Sequence, residues 1–325
     1  MSRRASDPVH ATLSGRTLIQ LAVSAVLLAV AGWAMLHPHH SAFGEKVRLD
    51  LWLIGFYLVL GFVFFLVDQH RLLFVSFLCC GLLTLFFKSR ADLPAPAEAP
   101  AENLPRFSIA HFDVGALEDW PERLYAACVN SGVDLISLQN ISEEGLARLR
   151  ERLRPWYSYG LERGDPAVSK LAIFSRYPLT AVDTFAWGGA PTLPARVEVD
   201  PAFPPVQLLA LYLFPQEEEG SLLEHLHGIV GFAREMRRPL LIFGNMQTVS
   251  WSYQLQEFRA SLDLKDSRRG AFAEAQGNKA ELLGAPLNHI LYSSGLECLE
   301  FQQLGEGSDQ MGIRATFQFG SSANR

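Results

Sequence analysis

Cysteine is scarce in this chain, and the few cysteines present are not spaced for metal binding. Only four of the 325 residues are cysteine, and no Cys-x-x-Cys pair occurs, which argues against a structural zinc site. Cys79 and Cys80 lie in an apolar run, whereas Cys128 and Cys298 lie in the more polar remainder. The latter two could pair in an oxidising compartment, but we expect two buried free thiols, because free cysteine is among the most frequently buried residue types.

A surplus of positive charge is also missing. The formal net charge is -6, and residues 1–90 carry eight basic and four acidic side chains, which leaves a surplus of ten negative charges in residues 91–325. No stretch of Lys and Arg interleaved with aromatic residues occurs. An acidic domain repels a phosphate backbone, so nucleic acid is not an expected partner.

Charged residues are absent from three apolar runs near the N-terminus, at residues 17–36, 51–67 and 72–87. A membrane-spanning helix needs about 20 apolar residues, and about 17 suffice. We therefore predict a membrane anchor over residues 1–90, with three transmembrane helices at about 17–36, 49–67 and 72–88 and the lipid bilayer as partner. The alternative is a signal peptide followed by a buried hairpin, but the first run is long for a signal peptide and no small-residue cleavage site follows it.

The orientation of these helices is not decided by counting basic residues. Three spans would leave four Lys and Arg residues on each side of the membrane. The charges beside the first transmembrane helix usually set the orientation, and the N-terminal tail before this helix is more basic than the loop after it. We therefore expect residues 91–325 on the non-cytoplasmic side.

The remainder of the chain reads as a linker followed by a domain of alternating strands and helices. Residues 91–105 contain four prolines, which favours an extended spacer. Within 106–325, we predict strands at about 107–112, 134–138, 171–174, 181–186, 196–199, 206–214, 239–243, 287–292, 298–303 and 313–319, and helices at about 121–131, 143–154, 222–237 and 252–260. This pattern indicates an α/β or α+β domain with two sheets covered by helices.

Several predicted strands end in a short polar motif, and most of the polar residues in these motifs are amides. The motifs are Leu138-Gln139-Asn140, Gly244-Asn245-Met246-Gln247, Asn288-His289 and Ser308-Asp309-Gln310, together with Asp113 at the end of the first strand and a Ser175-Arg176-Tyr177-Pro178 turn. Each alone is weak evidence. Their order, with most of them following strands, is far more specific.

In this order the motifs resemble those of the endonuclease/exonuclease/phosphatase superfamily, over about residues 106–319. The resemblance implies a DNase I-like four-layer α/β (α+β) sandwich, here preceded by three transmembrane helices. The layout is also similar to bacterial membrane members of the superfamily, including the VanJ-type glycopeptide-resistance proteins, which implies a bacterial inner membrane.

The resemblance also shows where this chain departs from the family. Asp113 stands where the family has Asn, and Asn140 where it has the metal-binding Glu. Asn245 replaces the Asp that orients the attacking water, and Gln247 replaces a phosphate-holding Asn. Asn288 replaces the Asp of Asp-His while His289 is kept, and Gln310 replaces the catalytic His after the retained Asp309. The family's mid-chain His is also missing, because residues 209–215 contain none.

These replacements lead to three hypotheses about function. Mg²⁺ is usually held by carboxylates, and amides do not titrate near neutral pH, so the main metal ligand and the base are both lost. We therefore expect a membrane-anchored pseudoenzyme that binds a small molecule or a protein in the former active-site cleft, with no cofactor. One alternative is a hydrolase rebuilt around Asp113, Asp309 and His289, in which Asp113 and Asp309 would bind Mg²⁺. The other is a structural subunit of a membrane complex.

Overall fold

The computed structural model describes residues 15–36, 48–90, 101, 103–116, 120–165, 169–182, 192–213, 219–268, 287–304 and 312–320. The chain divides into two compact units. The first comprises Met1–Phe43 with Leu49–Phe87, and the second comprises Gly44–Arg48 with Lys88–Arg325. The motif Ser308-Asp309-Gln310 lies outside the described residues.

The described residues of the first unit form three helices, α1 (Gly15–Leu36), α2 (Arg48–Leu66) and α3 (His70–Arg90). They are joined by buried polar contacts: the Tyr57 hydroxyl donates to the Leu27 carbonyl at 2.6 Å, and the Ser76 hydroxyl donates to the Tyr57 carbonyl at 2.7 Å. Apolar side chains cover much of the outer surface, and Leu66 is 80% exposed.

Two of these helices, Gly15–Leu36 and the His70–Ser89 part of α3, are long and apolar enough to cross a membrane. The apolar part of α2, Trp52–Leu66, is shorter. The structure therefore supports two such helices where the sequence predicts three.

The second unit is built on two six-stranded sheets. Sheet A has the order β11-β12-β1-β2-β4-β3 and sheet B the order β5-β6-β7-β8-β10-β9. The strands are β1 (Arg106–Asp113), β2 (Leu135–Ile141), β3 (Tyr159–Asp165), β4 (Ser169–Ser175), β5 (Leu179–Ala181), β6 (Thr192–Val197), β7 (Val206–Tyr212), β8 (Leu240–Asn245), β9 (Leu264–Asp266), β10 (Asn288–Ser293), β11 (Leu296–Leu304) and β12 (Gly312–Phe319).

Helices cover the outer face of each sheet, which gives the four-layer α/β sandwich predicted from the sequence. The helices are α4 (Trp120–Asn130), α5 (Glu143–Leu153), α6 (Glu219–Glu235) and α7 (Tyr253–Leu262). Leu124 and Leu149, from α4 and α5, pack on sheet A, and Ile229 and Phe258, from α6 and α7, pack on sheet B. The main core lies between the sheets, because alternate residues of each strand point inward.

Helix α5 shows how the local sequence sets these elements. It begins after Ser142, whose hydroxyl accepts a hydrogen bond from the Gly145 amide at 3.2 Å, and Glu143 and Glu144 lie in its first turn. A side-chain oxygen at this position satisfies a free N–H, and acidic residues suit the positive end of the helix dipole.

Three predicted features are corrected or settled by the structure. Strands β3 and β9 were not predicted, since most of β3 is charged residues and glycine and β9 is very short. The strand predicted at 181–186 is found at Leu179–Ala181, and residues 183–191 lie outside the described residues. Cys128 and Cys298 are both buried free thiols, as expected.

The topology brings one end of the two sheets together. Strands β1 and β2 are parallel, as are β7 and β8. The carboxyl ends of these four strands therefore meet at one end of the sandwich, which we call the site end. Polar residues at the carboxyl ends of parallel strands commonly form binding sites in α/β proteins.

Candidate functional site

The centre of the site end is the carboxylate of Asp113, the last residue of β1. Its Oδ2 accepts hydrogen bonds from Gln139 Nε2 and from Asn245 Nδ2, both at 2.9 Å. Gln139 also accepts a hydrogen bond from the Asn245 amide at 2.9 Å through its Oε1. These contacts join the end of sheet A to the end of sheet B, so the three side chains form one network. We call Asp113, Gln139, Asn140 and Asn245 the amide cluster.

Asn140 reaches the cluster because the backbone of β2 is irregular there. The register between β2 and β4 shifts between Leu138 and Ile141, and Asn140 has a φ of 57°. Such a bulge redirects a side chain, and Asn tolerates the left-handed region better than most residues. Its Nδ2 lies 3.4 Å from Asp113 Oδ1, and a Cβ on Gly115 would lie 1.6 Å from that nitrogen. Only glycine at position 115 leaves room for this placement.

Asn245 is held by the turn that follows β8. Its Oδ1 accepts a hydrogen bond from the Gln247 amide at 2.9 Å, and Gln247 has a φ of 53°. Gly244 has a φ of 143°, and a Cβ there would lie 1.8 Å from the Leu211 carbonyl oxygen. Strands β7 and β8 therefore approach closely at this point. The turn aims the Asn245 side chain at Asp113 and leaves it 7% exposed.

Asn288 neighbours this turn, since it pairs with Asn245 in the register of β8 and β10. The next residue, His289, points the other way, as alternation along a strand requires. His289 is fully buried: Nδ1 lies 3.3 Å from Asp266 Oδ2 and Nε2 lies 2.8 Å from the Thr248 carbonyl oxygen. Both ring nitrogens are engaged away from Asp113, so His289 is not available to the amide cluster.

Asp266 is the centre of this second hydrogen-bond network, which includes His289 and lies on the face of sheet B that α6 and α7 cover. It accepts hydrogen bonds from the Ser250 hydroxyl at 2.7 Å and from the Arg268 amide at 3.0 Å. Burial alone would raise the pKa of Asp266, but the hydrogen bond and charge of His289 and the charge of Arg268 hold that pKa well below its usual range. Ser250, His289 and Asp266 do not form a catalytic triad, because the serine contacts the aspartate and not the histidine.

His111 lies beneath the amide cluster on the inner face of β1. Its Nδ1 lies 3.0 Å from the Ser137 hydroxyl. Burial lowers the pKa of His111 to about 4, although the charge of Asp113 and the side chains of Asn288 and Gln139 oppose this shift, and His289 adds to it. At neutral pH His111 is therefore uncharged and does not offset the charge of Asp113, which faces the amide N–H groups of Gln139 and Asn245.

The low pKa of His111 predicts an acid-sensitive domain. The histidine has a pKa of 6.5 in the unfolded chain and about 4 in the folded domain, so the unfolded chain binds the proton more tightly. The free energy of unfolding is therefore highest above pH 6.5. It falls as the pH drops from 6.5 to 4, by up to about 1.4 kcal/mol per pH unit. His111→Gln should flatten the slope of unfolding free energy against pH in that range. His225→Gln, outside the site, is the control, and an equal slope in His111→Gln and the unchanged protein would contradict the prediction.

Comparison with known proteins agrees with this architecture. The endonuclease/exonuclease/phosphatase family profile matches residues 107–309. The chain belongs to the endonuclease/exonuclease/phosphatase family. A search of curated proteins gave no match.

Several solved structures share the fold. An endonuclease/exonuclease/phosphatase from Bacteroides vulgatus is 14% identical with a TM-score of 0.56, over 66% of this chain and 99% of that one. A truncated Caenorhabditis elegans TDP2 is 16% identical with a TM-score of 0.53, over 66% and 98%. A family protein from Bacteroides thetaiotaomicron is 14% identical with a TM-score of 0.53, over 67% and 99%.

The site residues that the structure describes do not fit the divalent cation that the family resemblance implies. Mg²⁺ needs oxygen ligands, at least one of them usually a free carboxylate. Here the Asp113 carboxylate accepts hydrogen bonds from three side-chain N–H groups, and Asn140 and Asn245 offer neutral amides in place of carboxylates. Among the described residues, no group of three or more His, Cys, Asp or Glu could hold a metal ion.

The sequence identified most of the cluster but not all of it. Asp113, Asn140 and Asn245 are brought together, with Asn288 and Gln247 beside Asn245. Asp309 and Gln310 lie outside the described residues. Gln139 belongs to one of the motifs but was given no role, yet its side chain is fully buried and joins the two sheets. The strand pattern could have indicated it, since Gln139 shares a face with Leu135 and Ser137. Nothing in the sequence indicates Asp266.

Proposed function

We propose that this protein is a membrane-anchored family member that does not hydrolyse phosphoesters and binds a small molecule or a protein segment at the amide cluster. The observation that carries the proposal is the carboxylate of Asp113, whose oxygens accept hydrogen bonds from Gln139, Asn245 and Asn140. Neutral N–H donors thus occupy both acceptor positions of Oδ2 and one of Oδ1, where a bound cation would need oxygen lone pairs.

The chemistry of the amides supports the same conclusion. A side-chain NH₂ presents the positive end of a dipole to Asp113, where a metal ion would present its charge. The three donors therefore take the electrostatic place of a cation without its ability to polarise a phosphate or lower the pKa of water. Asn245 and Asn140 cannot accept a proton near neutral pH, so neither can act as the general base that the family resemblance implies at such a site.

The exposed parts of the site set the kind of ligand that we propose. Asn140, Gln247 and Asn288 are each partly exposed at the site end. They offer neutral donors and acceptors and no positive charge. A polar, uncharged small molecule or a polar protein loop is the ligand class that such groups recognise, and nucleic acid is not proposed as a partner.

The membrane location is part of the same proposal. It is supported by the two helices that are long and apolar enough to span a bilayer, and by the exposed apolar side chains of α1–α3, such as Phe62 and Phe74. We propose that α2 completes a three-helix anchor in a bacterial inner membrane, with residues 91–325 on the non-cytoplasmic side.

An active hydrolase is the alternative function, and membership of the family favours it. In that hypothesis, Asp113, Asp309 and His289 form the rebuilt active site. The burial of His289 against Asp266 and Thr248 argues against one of the three. Of the residues named in that hypothesis, Asp113 and Asp309 are the two that would carry the chemistry.

Phosphoesterase assays distinguish the two functions. The full chain, purified in detergent, is expected to cleave bis-p-nitrophenyl phosphate and p-nitrophenyl phosphate no faster than buffer with Mg²⁺ or Mn²⁺, and Asn245→Ala should match it. A cation-dependent rate that Asn245→Ala lowers by about tenfold or more would show a working site and overturn the proposal.

A further inference from the structure

The end of the second unit opposite the amide cluster has its own surface, which we call the entry end. Strand β1 starts there at Arg106, and the preceding Pro105 carbonyl accepts a hydrogen bond from the Phe319 amide at 3.2 Å. The chain that follows α3 therefore joins the domain at this end. The register places Tyr159, Ser175, Leu135 and Ile109 in one row across sheet A, so the turn between α5 and β3 lies at the entry end too.

That turn exposes two aromatic side chains. Trp156 is 51% exposed and Tyr159 is 40% exposed, and among the described residues of the second unit only Tyr253 is another large exposed apolar side chain. Tyr157 between them is buried, and its hydroxyl donates to the Val133 carbonyl at 3.0 Å. The turn is thus fixed to the domain, and its aromatic rings point outward from a rigid base.

Both basic and acidic side chains are exposed at the entry end. Arg106, Arg154, Arg237 and Arg238 are exposed there, and so is Glu198, with Asp200 in the next turn. The basic side chains would strengthen binding to anionic lipid, whereas the two aromatic rings do not depend on lipid charge. Trp and Tyr instead favour the boundary between phospholipid headgroups and acyl chains, where the ring is apolar and its N–H or O–H stays hydrated.

We propose that Trp156 and Tyr159 form a phospholipid-binding patch that inserts into the headgroup layer of the bilayer. The inference rests on the proposed membrane anchoring. Residues 91–105 connect α3 to the entry end and reach at most about 50 Å when fully extended, so the proposed anchor would allow this end to reach a lipid surface. Insertion of the patch would turn the amide cluster away from the membrane and toward its ligand in the aqueous phase.

Quenching of tryptophan by brominated phosphatidylcholine tests the proposal in the full chain reconstituted into vesicles. Subtracting the emission of Trp156→Phe from that of the unchanged protein isolates Trp156. This component should be at least about twofold weaker in brominated than in ordinary lipid. Tyr253→Trp in the Trp156→Phe background is the control, because Tyr253 starts α7 near the site end, and its added emission should be unquenched.

Two other results would overturn the proposal, and they have different meanings. If Trp156 is unquenched, or if Trp156 and the tryptophan introduced at position 253 are quenched equally, the patch is not a selective lipid contact, although anchoring can stand. Trp33 and Trp52 are 47% and 64% exposed on α1 and α2. If the emission left in Trp156→Phe is also unquenched, the helices are not in lipid and the proposed anchoring fails as well.

Discussion

Replacing Asn245 with aspartate is expected to lower the stability of the domain by about 3 kcal/mol at neutral pH and to make that stability depend on divalent cations. The substitution keeps the shape of the side chain but turns a donor 2.9 Å from Asp113 Oδ2 into a second carboxylate. Two carboxylates at this distance cannot both ionise without a cation or a shared proton between them.

Denaturant unfolding of the full chain in detergent, with and without Mg²⁺, measures this effect. Millimolar Mg²⁺ should restore about 1.4 kcal/mol or more to Asn245→Asp, if the concentration exceeds the dissociation constant about tenfold. The unchanged protein should not respond. Asn103→Asp is the matched control, because it makes the same change in charge at an exposed position.

The opposite outcome is equally clear. If Asn245→Asp is as stable as Asn103→Asp and no cation changes either, the two side chains do not share a desolvated site. The wider variant that also carries Asn140→Glu, Gln247→Asn, Asn288→Asp and Gln310→His should then gain no cation binding. In that case the idea of a disarmed metal site is wrong.

Replacing His289 with alanine is expected to destabilise the domain by about 3 kcal/mol, because it removes one charged partner of the buried Asp266 carboxylate, which keeps Ser250 and the Arg268 amide, and the hydrogen bond to the Thr248 carbonyl. Unfolding free energies measure the loss. His227→Ala is the control, since that histidine is 55% exposed and makes only a surface contact with Glu257 at 3.6 Å, worth at most about 1 kcal/mol.

A double-mutant cycle identifies the source of the loss. His289→Ala and Asp266→Ala together should cost less than the sum of the single changes, since residues in one buried network are coupled. The hydrolase hypothesis expects a different pattern, with loss of turnover and little loss of stability. A stable His289→Ala protein would therefore restore His289 as a site candidate.

Much of the fold follows from local sequence patterns. The N-cap Ser142 and the apolar spacing of Leu146, Leu149 and Leu153 set the start and the buried face of α5. Buried strands such as β7 and β8 are apolar apart from Gln207 and the terminal Asn245, which is typical of parallel strands covered on both faces. Strands β3 and β9 were missed because pairing with neighbours, and not their own composition, makes them strands.

The site required the folded chain. The order of the motifs indicated that Asp113, Asn140 and Asn245 share a cluster, and the family profile agrees with the scaffold. The direction of each side chain did not follow from the motifs. His289 and Asn288 are adjacent in sequence, yet alternation along β10 sends one behind sheet B and leaves the other beside Asn245.

The sequence by itself determined that the second unit alternates strands with helices and that long apolar runs precede it, because composition and periodicity are local properties. That amides stand where the family has acids and a histidine is what the resemblance of the motifs implies. The tertiary structure alone decided that Gln139 binds Asp113, that His289 serves Asp266, and that Trp156 lies at the end opposite the cluster. Contacts within the cluster join residues as far apart as 132 positions. They depend on strand order, register and a bulge, which only the packing of the whole domain fixes.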